Sequence, residues 1–334
     1  MKFRISKKIV TIFLIVFLIV FIVAPIGIVY YFLYGDRHIP LTLNPGDYDL
    51  EYDNVTFSPR GDEINLDGWF VPADPQIGNS HRNNATIILL HGHQNNKGNI
   101  NEYNHSVFAT IGFQLHKLGY SLLLFDFRNH GLSDDLGPVT FGYYESRDVL
   151  GAVDFLIENS DSLGIDKDKI AVWGTSFGAG TGLIATAKDS RLGDRYIKAM
   201  VSDSGYARAL DPIKKRLSLY HVPKFYQNYL IFWIDTISPV PYSDINPIDY
   251  VADIQVPIYL IHSSEDSNVP EQSSKDLFVE IYLAENTSVT LWISDAIDHE
   301  RTVLWYPDEY FRRISEFYDE ALGITAFDCC DIQS

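Results

Sequence analysis

The sequence predicts an α/β protein built on a mostly parallel sheet with helices on both faces. Short apolar runs, typical of strands buried on both sides, alternate with helical patterns from residue 85 to residue 322. The pentapeptide Gly-Thr-Ser-Phe-Gly at 174–178 lies between one such run and a stretch of small residues. A chain of 334 residues, 46% of them hydrophobic, suffices for one large domain of this kind.

The elements follow in order along the chain. Two strands before the first buried run are expected to form a hairpin that turns near residues 59–61. The expected strands are 50–57, 64–71, 85–90, 120–125, 170–173, 199–202, 257–261 and 288–293. The expected helices include 108–118, 149–157, 179–187 and 309–322. An insertion at 207–249, rich in aromatic residues and proline, interrupts the alternation. It predicts a cap that would cover a binding site of the domain, although its aromatic residues could instead pack its own helices.

The amino-terminal segment predicts a membrane anchor. Residues 9–34 carry no charge and would form a helix of about 39 Å, longer than the ~30 Å apolar layer of a bilayer. Basic residues precede the span, so the large domain is expected on the extracytoplasmic side of the membrane. A cleaved signal peptide is the alternative, but its apolar core would be shorter. The expected divisions are therefore 1–34 (anchor), 35–49 (linker), 50–323 (main domain, with the insertion at about 207–249) and 324–334 (tail).

Composition excludes several partners. The formal net charge is −18, and residues 1–34 contribute four basic side chains and no acidic one, so the rest of the chain is more acidic still and would repel nucleic-acid phosphates.

The only cysteines, Cys329 and Cys330, are adjacent and fit no zinc motif; they could pair with another chain, carry a lipid or remain free thiols. Four Asn-x-Ser/Thr matches allow glycosylation, at Asn54, Asn84, Asn104 and Asn286.

The pentapeptide indicates a serine nucleophile. A sharp strand-to-helix turn holds the central serine in a strained conformation, so small residues must flank it. The turn would expose the Ser176 hydroxyl at the end of the sheet, beside the amino terminus of the following helix.

Together these features resemble the α/β-hydrolase superfamily, from about residue 50 to residue 323. The serine-aminopeptidase and prolyl-oligopeptidase-like branch, which includes membrane-anchored α/β-hydrolase-domain proteins, is the most similar. The motifs that carry the resemblance are His91-Gly92, Asp126-x-Arg128-x-His130-Gly131-x-Ser133, the 174–178 pentapeptide and His262-x-x-x-Asp266-x-x-Val269-Pro270. The resemblance implies an α/β-hydrolase fold with a cap insertion, preceded here by one transmembrane helix.

The family order of nucleophile, acid and histidine implies Asp266 and His299 as the partners of Ser176. Neutral imidazole can accept the serine proton, and a carboxylate on its other nitrogen fixes the tautomer. Glu265 and Asp203 remain competitors for the acid.

The resemblance also implies an oxyanion hole made by two backbone N–H groups, those of Phe177 and His93, with Gln94 as the alternative to His93. Asp126, Arg128 and His130 are expected to brace the pentapeptide turn rather than to react. Neither a cofactor nor a metal is expected.

The sequence therefore favours a membrane-anchored serine hydrolase acting on an ester, thioester or amide through an acyl-enzyme. A small molecule, a lipid or an acylated protein would be its substrate. A serine peptidase is the near alternative, and a catalytically silent binding protein on the same fold is a more distant one. The oligomeric state is left open.

Overall fold

A computed structural model describes residues 6–98, 107–193 and 195–324. Cys329, Cys330 and Asn104 lie outside the described residues, as does most of the expected tail.

The centre of the protein is a sheet of eight strands in the order β1-β2-β4-β3-β5-β6-β7-β8. The β1 and β2 strands pair antiparallel, β2 also runs antiparallel to β4, and all later pairs are parallel. The strands are β1 Asp53–Phe57, β2 Leu66–Val71, β3 Thr86–Leu90, β4 Ser121–Phe125, β5 Ile170–Thr175, β6 Ile197–Asp203, β7 Ile258–Glu265 and β8 Val289–Ile297.

Helices cover both faces of this sheet, because alternate side chains of the central strands enter two separate cores. In β5, Val172 points into one core, and Ala171 and Trp173 point into the other. The helices are α1 Lys7–Leu18, α2 Ala24–Tyr34, α3 Val107–Lys117, α4 Glu145–Glu158, α5 Ser160–Leu163, α6 Phe177–Leu192, α7 Leu210–Leu219, α8 Lys224–Ile237, α9 Gln272–Leu283, α10 Thr302–Trp305 and α11 Pro307–Ala321. The first core includes side chains of α4, α6 and α9, and the second includes side chains of α3 and α11.

The predicted α/β class, the parallel sheet and the eight strands are confirmed. Boundaries differ by a few residues at several ends: β7 continues to Glu265 and β8 to Ile297, beyond the apolar runs that predicted them. Pairing between β7 and β8 extends both strands, because backbone hydrogen bonds do not require apolar side chains.

The helices α1 and α2 join through a short π-helical segment, Ile19–Val23, into one helix of 28 residues, Lys7–Tyr34, here called the amino-terminal helix. By length and composition it could cross a membrane. Its first two turns and its middle are exposed, but its last turns enter the domain, where Val29 and Leu33 are 1% and 0% exposed. The Val139 N–H donates to the Leu33 carbonyl at 3.0 Å, so the end of this helix is built into the core.

Residues 35–49, expected as a linker, lie along the domain. The Leu43 N–H donates to the Gly98 carbonyl at 2.8 Å, and a short 3₁₀ helix, Pro45–Tyr48, follows. Arg37 is only 3% exposed. The segment therefore fixes the orientation of the amino-terminal helix on the domain.

The burial of Leu33 leads to a stability prediction. We expect Leu33→Ala to lower the free energy of unfolding by about 2–5 kcal/mol, because it leaves a cavity in a core that contacts the sheet. The control is Ile28→Ala, on the same helix but 54% exposed, which should change stability little. Denaturant unfolding of the full chain in detergent micelles measures both, and equal effects would contradict the assignment of Leu33 to the core.

Candidate active site

The pentapeptide forms the turn that its sequence predicted. Ser176 lies between β5 and α6 with φ 51° and ψ −111°, a conformation that side-chain-bearing residues rarely adopt. A Cβ at Gly174 would lie 2.6 Å from the Gly178 carbonyl oxygen, and one at Gly178 would lie 2.4 Å from the Leu90 oxygen. Glycine at both positions is what allows α6 to approach β5 and β3 so closely.

Three side chains from distant parts of the chain meet at this turn. His299 Nε2 lies 2.9 Å from Ser176 Oγ, and His299 Nδ1 lies 2.6 Å from Asp266 Oδ2. Asp266 follows β7 and His299 follows β8, so both loops lie at the carboxyl edge of the sheet. The structure thus places the three residues named from the sequence in one hydrogen-bonded row.

Asp266 is prepared to stay ionised. The N–H groups of Asn268 and Val269 each donate to its Oδ1 at 2.8 Å, and His262 Nε2 lies 3.3 Å from its Oδ2. Burial alone would raise the pKa of Asp266, but the neighbouring His299 and His262 outweigh it and hold the pKa well below its usual range.

The competing acids lie elsewhere. Asp203 is buried and accepts hydrogen bonds from the Tyr310 hydroxyl at 2.6 Å and from the Ser204 hydroxyl at 3.0 Å. Burial, opposed by these two donors, raises the pKa of Asp203 to about 6. The Glu265 side chain is exposed. Among the three candidate acids, Asp266 alone has a recorded hydrogen bond to His299.

The loop after β3, residues 91–94, is here called the oxyanion loop. It runs beside the serine, since a Cβ at Gly92 would lie 3.8 Å from Ser176 Cβ. Phe177 begins α6 directly after the serine. Among the residues that the structure describes, no acceptor is recorded for the N–H of His93 or of Phe177, so both donors are available to a bound oxygen.

Arg37 was missed by sequence reasoning, which placed it in a linker. Its Nε donates to His93 Nε2 at 3.3 Å, and its other nitrogens donate to the Gly35 and Phe32 carbonyl oxygens. Burial, reinforced by the charges of Arg37 and Arg216, lowers the pKa of His93 to about 3, so the ring is neutral and can accept from Arg37. The end of the amino-terminal helix is thereby connected to the oxyanion loop, and no motif in the sequence signalled this contact.

The other histidine of the oxyanion loop, His91, forms hydrogen bonds to backbone groups through both ring nitrogens. His91 Nδ1 pairs with the Gly92 carbonyl at 2.8 Å, and His91 Nε2 accepts from the Phe127 N–H at 3.1 Å. Within the described ranges, no group of three or more His, Cys, Asp or Glu is placed to hold a metal ion.

The Asp126, Arg128 and His130 cluster lies behind the oxyanion loop. Asp126 accepts from the Lys97 ammonium at 2.6 Å, and Arg128 pairs with Asp148 at 2.5 Å. The His130 ring packs at a tilt against Phe177, with ring centroids 5.8 Å apart. None of these side chains has a recorded contact with Ser176, which fits the bracing role expected of them.

Glu300 is a second residue that sequence reasoning missed. Its carboxylate oxygen lies 3.5 Å from His299 Nε2, on the side of the ring that faces the serine. Burial lowers the pKa of His299, but the negative charges of Asp266 and Glu300 prevail and raise it to about 9. The imidazole is therefore mostly protonated at neutral pH, and the fraction able to accept a proton grows as pH rises towards 9.

This shift predicts an unusual pH profile if His299 is the base. Activity should rise about tenfold per pH unit from neutral pH and level off near pH 9, since only neutral imidazole can take the serine proton. Glu300→Gln should move that rise to lower pH and increase kcat/KM at pH 7, because it removes a charge that favours the imidazolium. Glu265→Gln makes the same change at an exposed neighbour of Asp266 and should leave the profile in place. Matching profiles for both variants would contradict the assignment.

The insertion at 207–249 contains α7 and α8. Lys215 of α7 donates to the Asp266 and Val269 carbonyl oxygens, so this helix lies over the loop that carries the acid. Aromatic side chains of α8 contact one another, as in the Tyr229–Trp233 and Phe232–Trp233 pairs, which agrees with the second interpretation of the insertion. Tyr226 and Tyr229 also contact the amino-terminal helix, and Phe225 and Phe232 are exposed.

With this geometry in view, comparison with known proteins identifies the family. The BD-FAE family model matches residues 76–281, more than half of the chain. The chain belongs to the BD-FAE family. This is a family of α/β-hydrolases, so the expected superfamily is confirmed.

Relatives are distant. The uncharacterized protein YqkD of Bacillus subtilis is 27% identical over 243 residues, 72% of each chain. The α/β-hydrolase domain-containing protein WAV2 of Arabidopsis thaliana is 22% identical over 285 residues, 82% of this chain and 83% of that one.

Solved structures share the fold. The Pyrococcus furiosus esterase Pf2001 superposes with a TM-score of 0.67 at 23% identity, covering 85% of this BD-FAE chain and 96% of the esterase. The Pyrococcus horikoshii acylaminoacyl peptidase gives a TM-score of 0.61 at 18% identity, covering 83% and 43%. At these identities the likeness establishes the fold and leaves the substrate open.

Proposed function

We propose that this BD-FAE protein is a membrane-anchored serine hydrolase that cleaves an ester, thioester or amide through an acyl-enzyme. The row of hydrogen bonds from Ser176 through His299 to Asp266 carries the proposal, because no structural role requires three distant loops to meet in that order at a strained serine.

In the first half of the reaction, neutral His299 removes the Ser176 proton as Oγ attacks the carbonyl carbon. Asp266 holds the ring by its Nδ1–H and stabilises the imidazolium that forms. The oxyanion accepts hydrogen bonds from the N–H groups of Phe177 and His93. His299 then protonates the leaving group, and the acyl group remains on the serine.

In the second half, water replaces the leaving group. His299 removes a proton from the water, hydroxide attacks the acyl-enzyme, and the collapse of the second oxyanion releases the acid and restores Ser176. The side chains named are sufficient for every proton transfer, so the scheme uses no cofactor.

The anchor is the amino-terminal helix. It is long and apolar enough to cross a bilayer, and Lys7 and Lys8 at its start favour a cytoplasmic amino terminus with the domain on the other side. Cleavage of the helix as a signal peptide would remove Val29 and Leu33 from the core, which supports an uncleaved anchor. An apolar acyl substrate, from a lipid or an acylated protein, suits a site whose cap lies against this helix.

A fluorophosphonate probe and a substrate series test the proposal on the full chain in detergent. Wild-type protein should be labelled, Ser176→Ala should not, and Ser218→Ala, which changes an exposed serine of α7, should be labelled normally. p-Nitrophenyl esters of increasing chain length should be cleaved faster than aminoacyl-anilides. Preference for the anilides would indicate a peptidase, and folded protein without labelling would indicate a binding protein.

A further inference from the structure

The helix α8 of the cap has three distinct faces. Gln227, Leu230 and Ile234 are buried, and the last two belong to the domain core. Tyr226, Tyr229 and Trp233, one position earlier in each turn, form a half-buried face, and its two tyrosines contact the amino-terminal helix. The outward face consists of Phe225, Asn228, Phe232 and Thr236.

The contact between α8 and the amino-terminal helix occurs where the backbone of that helix lacks donors. In the π-helical segment the Ala24 N–H donates to Ile19, five residues back, and not to Val20. Pro25 has no N–H to give to Phe21, four residues back. The Tyr226 hydroxyl donates to the Val20 carbonyl oxygen at 3.1 Å, and the Tyr229 hydroxyl donates to the Phe21 carbonyl oxygen.

These two hydrogen bonds matter most in an apolar medium. A backbone carbonyl without a partner carries a large free-energy cost in the bilayer core, whereas water would satisfy it at no cost. The tyrosines of α8 therefore provide what a membrane-spanning helix with a proline at this position needs.

The depth of the contact follows from the helix length. Pro25, Val29 and Leu33 are buried, so the part of the helix before its first buried residue runs from Ile9 to Ala24, about 24 Å at 1.5 Å per residue. That spans most of the ~30 Å apolar thickness of a typical bilayer. Val20 and Phe21 lie about 6–8 Å before Pro25 along the axis, inside this layer.

The outward face of α8 suits the same surroundings. Phe225 and Phe232 are 69% and 57% exposed, and no charged residue occurs between Lys224 and Asp235. Thr236 donates its hydroxyl to the Phe232 carbonyl, and Asn228 is uncharged. The large hydrophobic side chains of the amino-terminal helix from Ile9 to Val20 are all at least 42% exposed. The exposed apolar surface therefore continues from that helix to α8.

We propose that α8 is a second membrane-inserted element, packed against the amino-terminal helix within the apolar layer of the bilayer, with lipid acyl chains covering Phe225 and Phe232. The inference rests on the membrane placement of the amino-terminal helix proposed above. It goes further, because it makes the cap part of the membrane face of the enzyme rather than a lid in water.

Site-directed fluorescence in phosphatidylcholine vesicles tests this placement. The full chain carries Cys329→Ser and Cys330→Ser, and single cysteines at Phe225, Phe232, Phe13 or Leu192 are labelled with the environment-sensitive dye NBD. Phe13 reports on the amino-terminal helix. Leu192 is 61% exposed and ends α6, about 24 Å along that helix from Ser176, so it is a matched apolar control away from the cap.

Nitroxide-bearing phospholipids should quench the labels at 225 and 232 about as strongly as the label at 13, and several-fold more than the label at 192. Quenching at 13 without quenching at 225 and 232 would overturn the proposal. Self-quenching of the label at 232 that depends on the protein-to-lipid ratio, without quenching by the lipids, would also overturn the proposal. It would show that a second copy of the chain covers the outward face of α8. Absence of quenching at 13 would overturn both this proposal and the membrane placement, whereas fluorophosphonate labelling of the same vesicles reports on Ser176 separately.

Discussion

Replacing Ser176 with alanine is expected to lower turnover by about 10⁶-fold while leaving the fold intact. The hydroxyl is the attacking group, and no recorded contact of its side chain other than that to His299 is lost. The smaller side chain is also compatible with the strained turn, because the close contacts there involve Gly174 and Gly178 rather than the serine side chain. Hydrolysis of a p-nitrophenyl ester, compared at equal amounts of folded protein, measures the loss.

Residual cleavage should be similar in a Ser176→Ala, His299→Ala double variant, since the two side chains act as one unit and their effects do not add. A Ser176→Ala variant with activity within tenfold of wild type would show that the ester is cleaved elsewhere, and the proposed mechanism would then be wrong.

Asp266→Asn is expected to lower turnover by about 10⁴-fold, the second large effect. The Asn268 and Val269 N–H groups would retain the carbonyl oxygen of the new amide, and its NH₂ group would then face His299 Nδ1. An amide donor there favours the tautomer with the proton on Nε2, which cannot accept from Ser176. Ester hydrolysis across the pH range measures the loss.

Asp203→Asn provides the matched comparison, because Asp203 is also buried and was the other candidate acid. Its hydrogen bonds go to Tyr310 and Ser204, so we expect a much smaller loss of turnover and a loss of stability instead. If Asp203→Asn proved the more damaging to turnover in folded protein, the acid would have to be reassigned.

Much of the fold could be predicted because it is encoded locally. Buried parallel strands need continuous apolar runs, and such runs predicted the strands β3 to β6. The ends of β7 and β8 could not be predicted, since pairing with the neighbouring strand extends them through Ser263 and Ser294. The docking of residues 35–49 was also missed, because Arg37 and Leu43 take their partners from distant loops.

The candidate site also has parts that the sequence predicted and parts that it did not. The serine turn could be predicted because the steric need for glycine at 174 and 178 arises within five consecutive residues. Asp266 and His299 were found through chain order in a resembled family, and their catalytic roles stay predictions. No sequence motif pointed to Glu300, since its effect on the pKa of His299 arises only from the folding of one loop.

By itself the sequence determined the α/β class, the strained serine and an apolar helix at the amino terminus, because each depends on residues that are neighbours along the chain. Only the tertiary structure decided which acid lies on His299, that Arg37 holds the oxyanion loop and that α8 packs on the amino-terminal helix. Those outcomes depend on distances between segments up to about two hundred residues apart, as in the contact of Tyr229 with Phe21, and side-chain pairing at that range follows from packing rather than from local pattern.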